Sequence, residues 1–478
     1  MSRVLRSPVL YLLLALALAT WRLDRAGALQ PRTTADTASY VAMLEVSSLY
    51  EALSGLRTYG YTMFLEAARL LGEDWRWVPG LHLALWSAAV LLFWLGVARF
   101  TGSSWLALAT ALPLTLSCAL AILPEVGPDV PGNALALATV SLLLLLARHP
   151  RNAWLWVTLG LACFLAWLNK PVYVFLAVLV PLLAVPLRLC ADPKTRLPPI
   201  RYTLALVALT LGPLLVFGGV RAKVVGHFGV GALAGYNLLG VAANFLSDDV
   251  VEALPDEERR WLAREILEGR QARGWQPMTF GSYVPNHHNQ HTPNIFRIAE
   301  PKATELVLHR RGGVVGGRES DPMDVPGLIG ESALEIDYEM GQLAKEIIRQ
   351  RPGLYARWVL HGIPHGLGKV FSCGWDRLLF GLLLASFFLA AARAVRDPAK
   401  LAAVLPPRRL ALVFGLALVA AVFLLGNLLV VVPIHFLKYR YAVGATLLIP
   451  AVVGALLFEA WRVITAVEAL GGRESRAR

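Results

Sequence analysis

The sequence predicts an all-α, polytopic membrane fold, on three observations. Of its 478 residues 56% are hydrophobic and only 16% charged, and its mean hydropathy is +0.55, outside the range of soluble globular chains. Apolar runs of about 17 to 25 residues, long enough to cross a bilayer as helices, recur along the chain. Arg and Lys gather in the links between alternate runs, the pattern that sets membrane orientation. The net charge of +12 therefore reads as membrane orientation rather than nucleic-acid binding.

The runs are Val4 to Thr20, Pro79 to Ala98, Trp105 to Leu123, Pro131 to Ala147, Ala153 to Leu168, Pro171 to Leu189, Tyr202 to Val220, Leu378 to Ala394, Leu410 to Val432 and Ala442 to Phe458. They amount to about ten transmembrane helices. Val4 to Thr20 follows Arg3 and Arg6, as a signal peptide would, but it lacks a small-residue cleavage site and is expected to be a retained first span. With the N-terminus in the cytoplasm, Arg99, Arg148, Arg151, Arg188, Lys194, Arg196, Arg393, Arg396, Lys400, Arg408, Arg409 and the tail arginines all fall on the inner side. Both termini are then cytoplasmic, in a multi-pass protein of the inner (cytoplasmic) membrane.

Three regions follow. Residues 1–220 form an N-terminal transmembrane module whose first outer loop is 22–78, residues 221–376 a large extracytoplasmic segment, and residues 377–478 the last transmembrane helices with a cytoplasmic tail. In the large segment, DEERRWLAREILEGRQA and IDYEMGQLAKEIIRQ read as helices, the second stopped by Pro352. Gly312 to Pro326, rich in Gly, Pro and Asp, reads as an irregular loop between them. Cys118, Cys163, Cys190 and Cys373 fit neither a disulfide framework nor a metal clip.

The first outer loop reads as an amphipathic helix. Asp36, Tyr40, Met43 and Tyr50 share one helical face, and Val46, Leu49, Leu53 and Leu56 extend an apolar stripe beside it, with Glu45 opposite. Asp36 has two readings: a first-turn acid in a helix capped by Thr33 or Thr34, or a carboxylate carried by the stripe to the outer mouth of the bundle. Ionisable residues at the outer ends of other runs weigh on that choice, because charge at membrane depth is costly and tends to mark a site. They are Glu125 and Asp129 in LPEVGPDVP, Lys170 in WLNKPVY and Arg440 in KYRYAVG. Each has an ordinary alternative: snorkelling for Lys170, anchoring for Arg440, capping for Asp129. Together they suit a reaction in which a carboxylate deprotonates a hydroxyl while Lys and Arg hold a leaving phosphate.

On these residues the chain resembles GT-C type integral-membrane glycosyltransferases, the superfamily of protein O-mannosyltransferases and lipid A aminoarabinose transferases. The family's first outer loop, an acid, a Tyr, a helix, an Arg and a Gly-Tyr-Pro-type turn, is similar to Asp36, Tyr40, Arg57 and Gly60-Tyr61. Glu125, Pro128 and Asp129 match its second outer loop, Leu168 to Pro171 its Leu-Thr-Lys-Gly-type element, and Arg440-Tyr441 its late Arg-Tyr. The resemblance covers mainly the first seven runs. The chain departs from the family where Ala35 precedes Asp36 in place of a second acid and where Thr62 stands for Pro.

The resemblance implies inverting transfer of one sugar from a polyprenyl-phosphate donor to a lipid, glycan or protein acceptor at the extracytoplasmic face. Asp36 would be the base, and Tyr40, Arg57, Tyr61, Glu125, Asp129, Lys170, Arg440 and Tyr441 would bind substrates. It implies no cofactor, and the missing second acid disfavours a divalent metal. Three rival readings stand beside it. A transporter or flippase of lipid-linked sugars would place polar residues near span centres, and a membrane scaffold would explain the outer mass but not Asp36 or Lys170. The third concerns NHHNQH, where His287, His288 and His291 either bind zinc or belong to a polar loop, with no helix evident there.

Overall fold

The computed structural model describes residues 7–477 apart from 35, 56, 73, 117, 193–199, 232, 283, 312–330, 371–376, 379–380, 384, 387–388, 390–405 and 436–438. Lys194, Arg196, Gly312 to Pro326, Cys373, Arg393, Arg396, Lys400 and most of Leu378 to Ala394 thus lie outside the described residues. The described chain is helical, with one isolated parallel bridge between Arg32 and Glu125.

After helix α1 (Pro8–Arg25), the first loop departs from the single amphipathic helix expected of it. It contains α2 (Thr37–Ala42), a 3₁₀ turn Met43–Glu45, α3 (Leu49–Ser54) and α4 (Gly60–Arg69). The break has a local cause. Ser48 and Glu51 form a reciprocal capping box that starts a new helix, while extended backbone at Val46 ends the previous one. The apolar stripe is broken with it: Tyr40, Met43 and Leu53 are buried, but Leu49 and Tyr50 are exposed. Glu45 is exposed, as its opposite face predicts, and Leu56 lies outside the described residues.

The bundle then adds α5 (Val78–Thr101), α6 (Ser104–Ala111), α7 (Asp129–Arg148), α8 (Ala153–Asn169), α9 (Leu176–Ala191) and α10 (Ile200–Val225). The run from Trp105 is not one α-helix: after α6 it continues as 3₁₀ turns Leu112–Thr115 and Cys118–Ile122, with Pro113 unable to donate to a regular helix. Small residues let the helices approach closely. A Cβ on Gly96 of α5 would lie 2.8 Å from the Ser141 carbonyl oxygen of α7.

A second buried cluster belongs to the segment that follows, built from α11 (Ala234–Ala242), α12 (Asp248–Glu252), α13 (Glu257–Gln271), α14 (Val284–His288), α15 (His291–Pro293), α16 (Glu300–Arg310), α17 (Glu331–Gln350) and the start of α18 (Pro352–Val370). The two helices expected there are present as α13, capped by Asp256, and α17, which Arg351-Pro352 separates from α18. Asp337 of α17 accepts hydrogen bonds from the Gly235 and Tyr236 amides at the start of α11. A Cβ on Gly235 would lie 1.8 Å from the Asp337 carbonyl oxygen, so only glycine permits this approach.

The chain closes with α19 (Pro407–Val431), α20 (Tyr439–Ala445) and α21 (Ile449–Ala477). The last expected run is therefore split by a turn at 446–448 rather than continuous. Among the described residues six helical stretches are long and apolar enough to cross a membrane, the broken Ser104–Ile122 among them, and the shorter Ala153–Asn169 is apolar too. Exposed Trp154, Leu204, Val216, Phe414 and Leu429 on these helices, with Leu14 and Leu18 on α1, form the apolar exterior that a membrane protein presents to lipid. At one end of the bundle Arg148 donates to the backbone of Arg99 and Ala191, and Arg188 to that of Ala147. The cavity described next lies at the other end.

Candidate functional site

Backbone pairing places Asp36. Arg32 N donates to Pro124 O, Val126 N donates to Arg32 O, and Thr37 Oγ1 donates to Val126 O at 2.7 Å. The beginning of the first loop is thus fastened to the link that carries Glu125 and Asp129. Asp36 occupies the cap position of α2 but makes no side-chain capping bond. Its Oδ1 instead accepts from Arg57 Nη2 at 2.6 Å, while Arg57 Nε donates to Ser39 and the guanidinium lies 5.4 Å from the Tyr40 ring. The capping explanation of Asp36, with Thr33 or Thr34 as cap, does not hold.

A second ion pair lies deeper. Lys170, the residue ending α8, places Nζ 2.6 Å from Oδ1 of Asp129, the first residue of α7. Each residue is only 5% exposed. Lys170 therefore does not snorkel, and Asp129 serves the pair. The ammonium also lies 5.8 Å from the Tyr173 ring and 5.4 Å from the Tyr441 ring. Gly132 and Gly444 make room for it: a Cβ on Gly132 would come within 2.9 Å of Lys170 Cβ, and one on Gly444 within 3.6 Å of Nζ.

The two pairs open onto one cavity of about 270 Å³. The first loop contributes Asp36, Tyr40, Arg57 and Thr58 to its wall, the bundle Asp129, Lys170, Val172, Val174, Val430 and Val431, and the large segment Val230, Leu233 and Asn237. Ile434, His435 and Tyr441 come from the stretch after α19. One part of the wall is charged and the rest mainly aliphatic, a lining suited to a ligand with a polar head and an apolar body.

Six of the nine expected site residues therefore meet: Asp36, Tyr40, Arg57, Asp129, Lys170 and Tyr441. Tyr61 does not. It is fully buried beneath the cavity, edge-on to Tyr40 at 5.1 Å and stacked on Phe64 at 5.6 Å, so it supports Tyr40 rather than lining the wall. Glu125 is held in the bridge to Arg32 and is likewise absent from the lining. Arg440 is the second residue of α20, and its side chain lies outside the described residues.

Three polar lining residues escaped sequence reasoning. Thr58 is 2% exposed and its Oγ1 makes no hydrogen bond among the described residues. Asn237 and His435 are the others, and nothing local to their sequence marks them. The His435 ring packs at a tilt against His291, with ring centroids 4.2 Å apart, and against Tyr441 at 5.0 Å. The NHHNQH stretch is helical and buried, not an open polar loop: His287, His288 and His291 are 7%, 2% and 0% exposed. Burial, with His365, His291, His287 and His361 nearby, pushes the His288 imidazole down to about 4. Arg270, whose guanidinium burial lowers to about 10, ties α13 to Asn244, Asn294 and Gln290. Among the described residues no group of three or more His, Cys, Asp or Glu side chains is placed to hold a metal ion.

Comparison of the chain with family models, with curated proteins and with solved structures finds no match.

Proposed function

We propose that the protein is a GT-C type membrane glycosyltransferase of the inner membrane, with about ten spans and its active site on the extracytoplasmic side. In this reading it transfers one hexosyl or pentosyl group from a polyprenyl-phosphate donor to a lipid, glycan or protein acceptor, with inversion. The observation that carries the reading is the meeting, in one part-charged and part-aliphatic cavity, of Asp36, Arg57, Asp129, Lys170 and Tyr441 from stretches up to four hundred residues apart.

Asp36 accepts the proton of the acceptor hydroxyl as that oxygen attacks the anomeric carbon. Arg57 takes one carboxylate oxygen and fixes the carboxylate plane. The bond from the anomeric carbon to the phosphate oxygen breaks, and its electron pair leaves with the lipid phosphate. Lys170, directed by Asp129, receives that growing negative charge, with Arg440 as a second cation. The aliphatic wall accommodates the first units of the prenyl chain.

Membranes containing the protein, supplied with lipid-phosphate sugar, test this reading. Asp36→Asn is expected to leave expression and folding intact and to lower transfer by at least about a hundredfold, the range of a lost general base. Wild-type turnover by that variant would sink the assignment.

A further inference from the structure

The described lining of the cavity carries four formal charges, and they cancel: Asp36 with Arg57, Asp129 with Lys170. A phosphodiester brings one more negative charge. Imidazole is the side chain whose ordinary charge change falls between about pH 5 and 8. His435 is the one described lining residue of that kind, and as an imidazolium it would add a positive charge to this described lining, besides the Arg440 proposed above.

Its neighbour His291 is held in a different way. His291 Nε2 donates to the carbonyl oxygens of Asn237 at 3.0 Å and Ile434 at 3.2 Å; carbonyls only accept, so Nε2 carries the proton. Asn237 and Ile434 both line the cavity, so His291 fastens that wall from behind, fully buried and outside the lining. His291 is 0% exposed and lies outside the lining, whereas His435, 8% exposed, is part of it. From α18, Tyr355 donates to Pro433 O and Trp358 to Val432 O, holding the backbone that leads to His435.

Among the described residues, the other titratable groups near His435 include Tyr441, against its ring, and the Lys170–Asp129 pair, whose ammonium lies 5.4 Å from the Tyr441 ring. Asp36 and Arg57 line the same cavity, and His288, in contact with His365, lies in electrostatic reach of His291. Lys170 and His435 thus both contact the Tyr441 ring, and all three line the cavity.

We propose that His435 is a proton-coupled ligand for the phosphate of an amphiphilic phosphodiester. In its imidazolium form it supplies a positive charge beyond Arg57 and Lys170, so that binding the anion takes up a proton. This rests on the glycosyltransferase reading and names a further residue of the same site. It also gives the NHHNQH stretch a role, as the clamp that positions His435 through His291.

The test uses the full chain in phosphatidylcholine nanodiscs and farnesyl methyl phosphate, a diester whose single charge does not titrate between pH 5.5 and 8.5. Wild-type affinity is expected to fall about tenfold from pH 6 to pH 8, the scale of one charge-assisted contact. His435→Gln is expected to bind weakly with no pH dependence, and His435→Lys tightly through pH 8. Thermal unfolding reports whether each variant folds; if His435→Gln does not, the wild-type profile and His435→Lys carry the result. A flat wild-type profile, or an unchanged profile in folded His435→Gln, overturns the role of His435 and leaves the glycosyltransferase reading standing. Absence of wild-type binding at every pH overturns both.

Discussion

Two ion pairs of equal length, 2.6 Å each, differ in what their loss would cost. The Asp36–Arg57 side chains are 19% and 20% exposed, and water can take over part of their solvation. The Asp129–Lys170 side chains are 8% and 6% exposed, so removing one partner leaves a buried charge uncompensated. Lys170→Met is therefore expected to destabilise the protein by roughly 3–5 kcal/mol. The double variant Lys170→Met/Asp129→Leu should recover most of that loss, read by thermal unfolding in detergent. A single variant as stable as the wild type would contradict the exclusion of water from this pair. Asp129 and Lys170 were legible in the sequence as charges at the outer ends of apolar runs, Asp36 by its helical face, and Arg57 only through the family resemblance. Their pairing was not, because Asp36 meets Arg57 only after the loop folds back, and Lys170 meets Asp129 only where the end of α8 reaches the start of α7.

At the scale of elements, the first loop works through its breaks. A continuous helix would have carried Arg57 several turns away from Asp36; α2, α3 and α4 instead double back and return it. The Ser48–Glu51 capping box starts a new helix where the apolar periodicity running through the stretch predicts one continuous helix. Helix α4 begins at Gly60, where a Cβ would lie 2.5 Å from the backbone carbon and oxygen of Leu168. Gly60→Ala must push α4 away from the end of α8, two residues before Lys170. It is expected to cost about 1–3 kcal/mol, as overpacking does, and to lower transfer activity with it. The control is Gly80→Ala in α5, where nothing lies within 4 Å of the new Cβ and no loss is expected. Equal stability of the two variants would show that α4 is free to move.

For the whole molecule, the two ends of the bundle carry different chemistry. Arg99, Arg148 and Arg188 meet at one end, with Arg408 in electrostatic reach of Arg148. The cavity and the large segment occupy the other. With the arginine end cytoplasmic, single cysteines placed at Glu45 and Glu252 in a chain without its native cysteines should react with a membrane-impermeant maleimide in intact cells. A cysteine at Arg151 should react only after permeabilisation. Labelling of the Arg151 position from outside would reverse the orientation and place the cavity on the cytoplasmic side.

Most of the helices were determined by the sequence alone, because apolar run length, capping residues and prolines act within a few residues of where they stand. The basic residues of alternate links were legible for the same reason, and so was the order of Asp36, Tyr40, Arg57, Asp129, Lys170 and Tyr441 along the chain. Only the tertiary structure decided which of these would share a cavity. It sent Tyr61 into the core and Glu125 into a backbone bridge, and it brought His435 to the wall against His291. Those outcomes depend on closing loops of tens to hundreds of residues, and no local rule of propensity or periodicity encodes where such loops close.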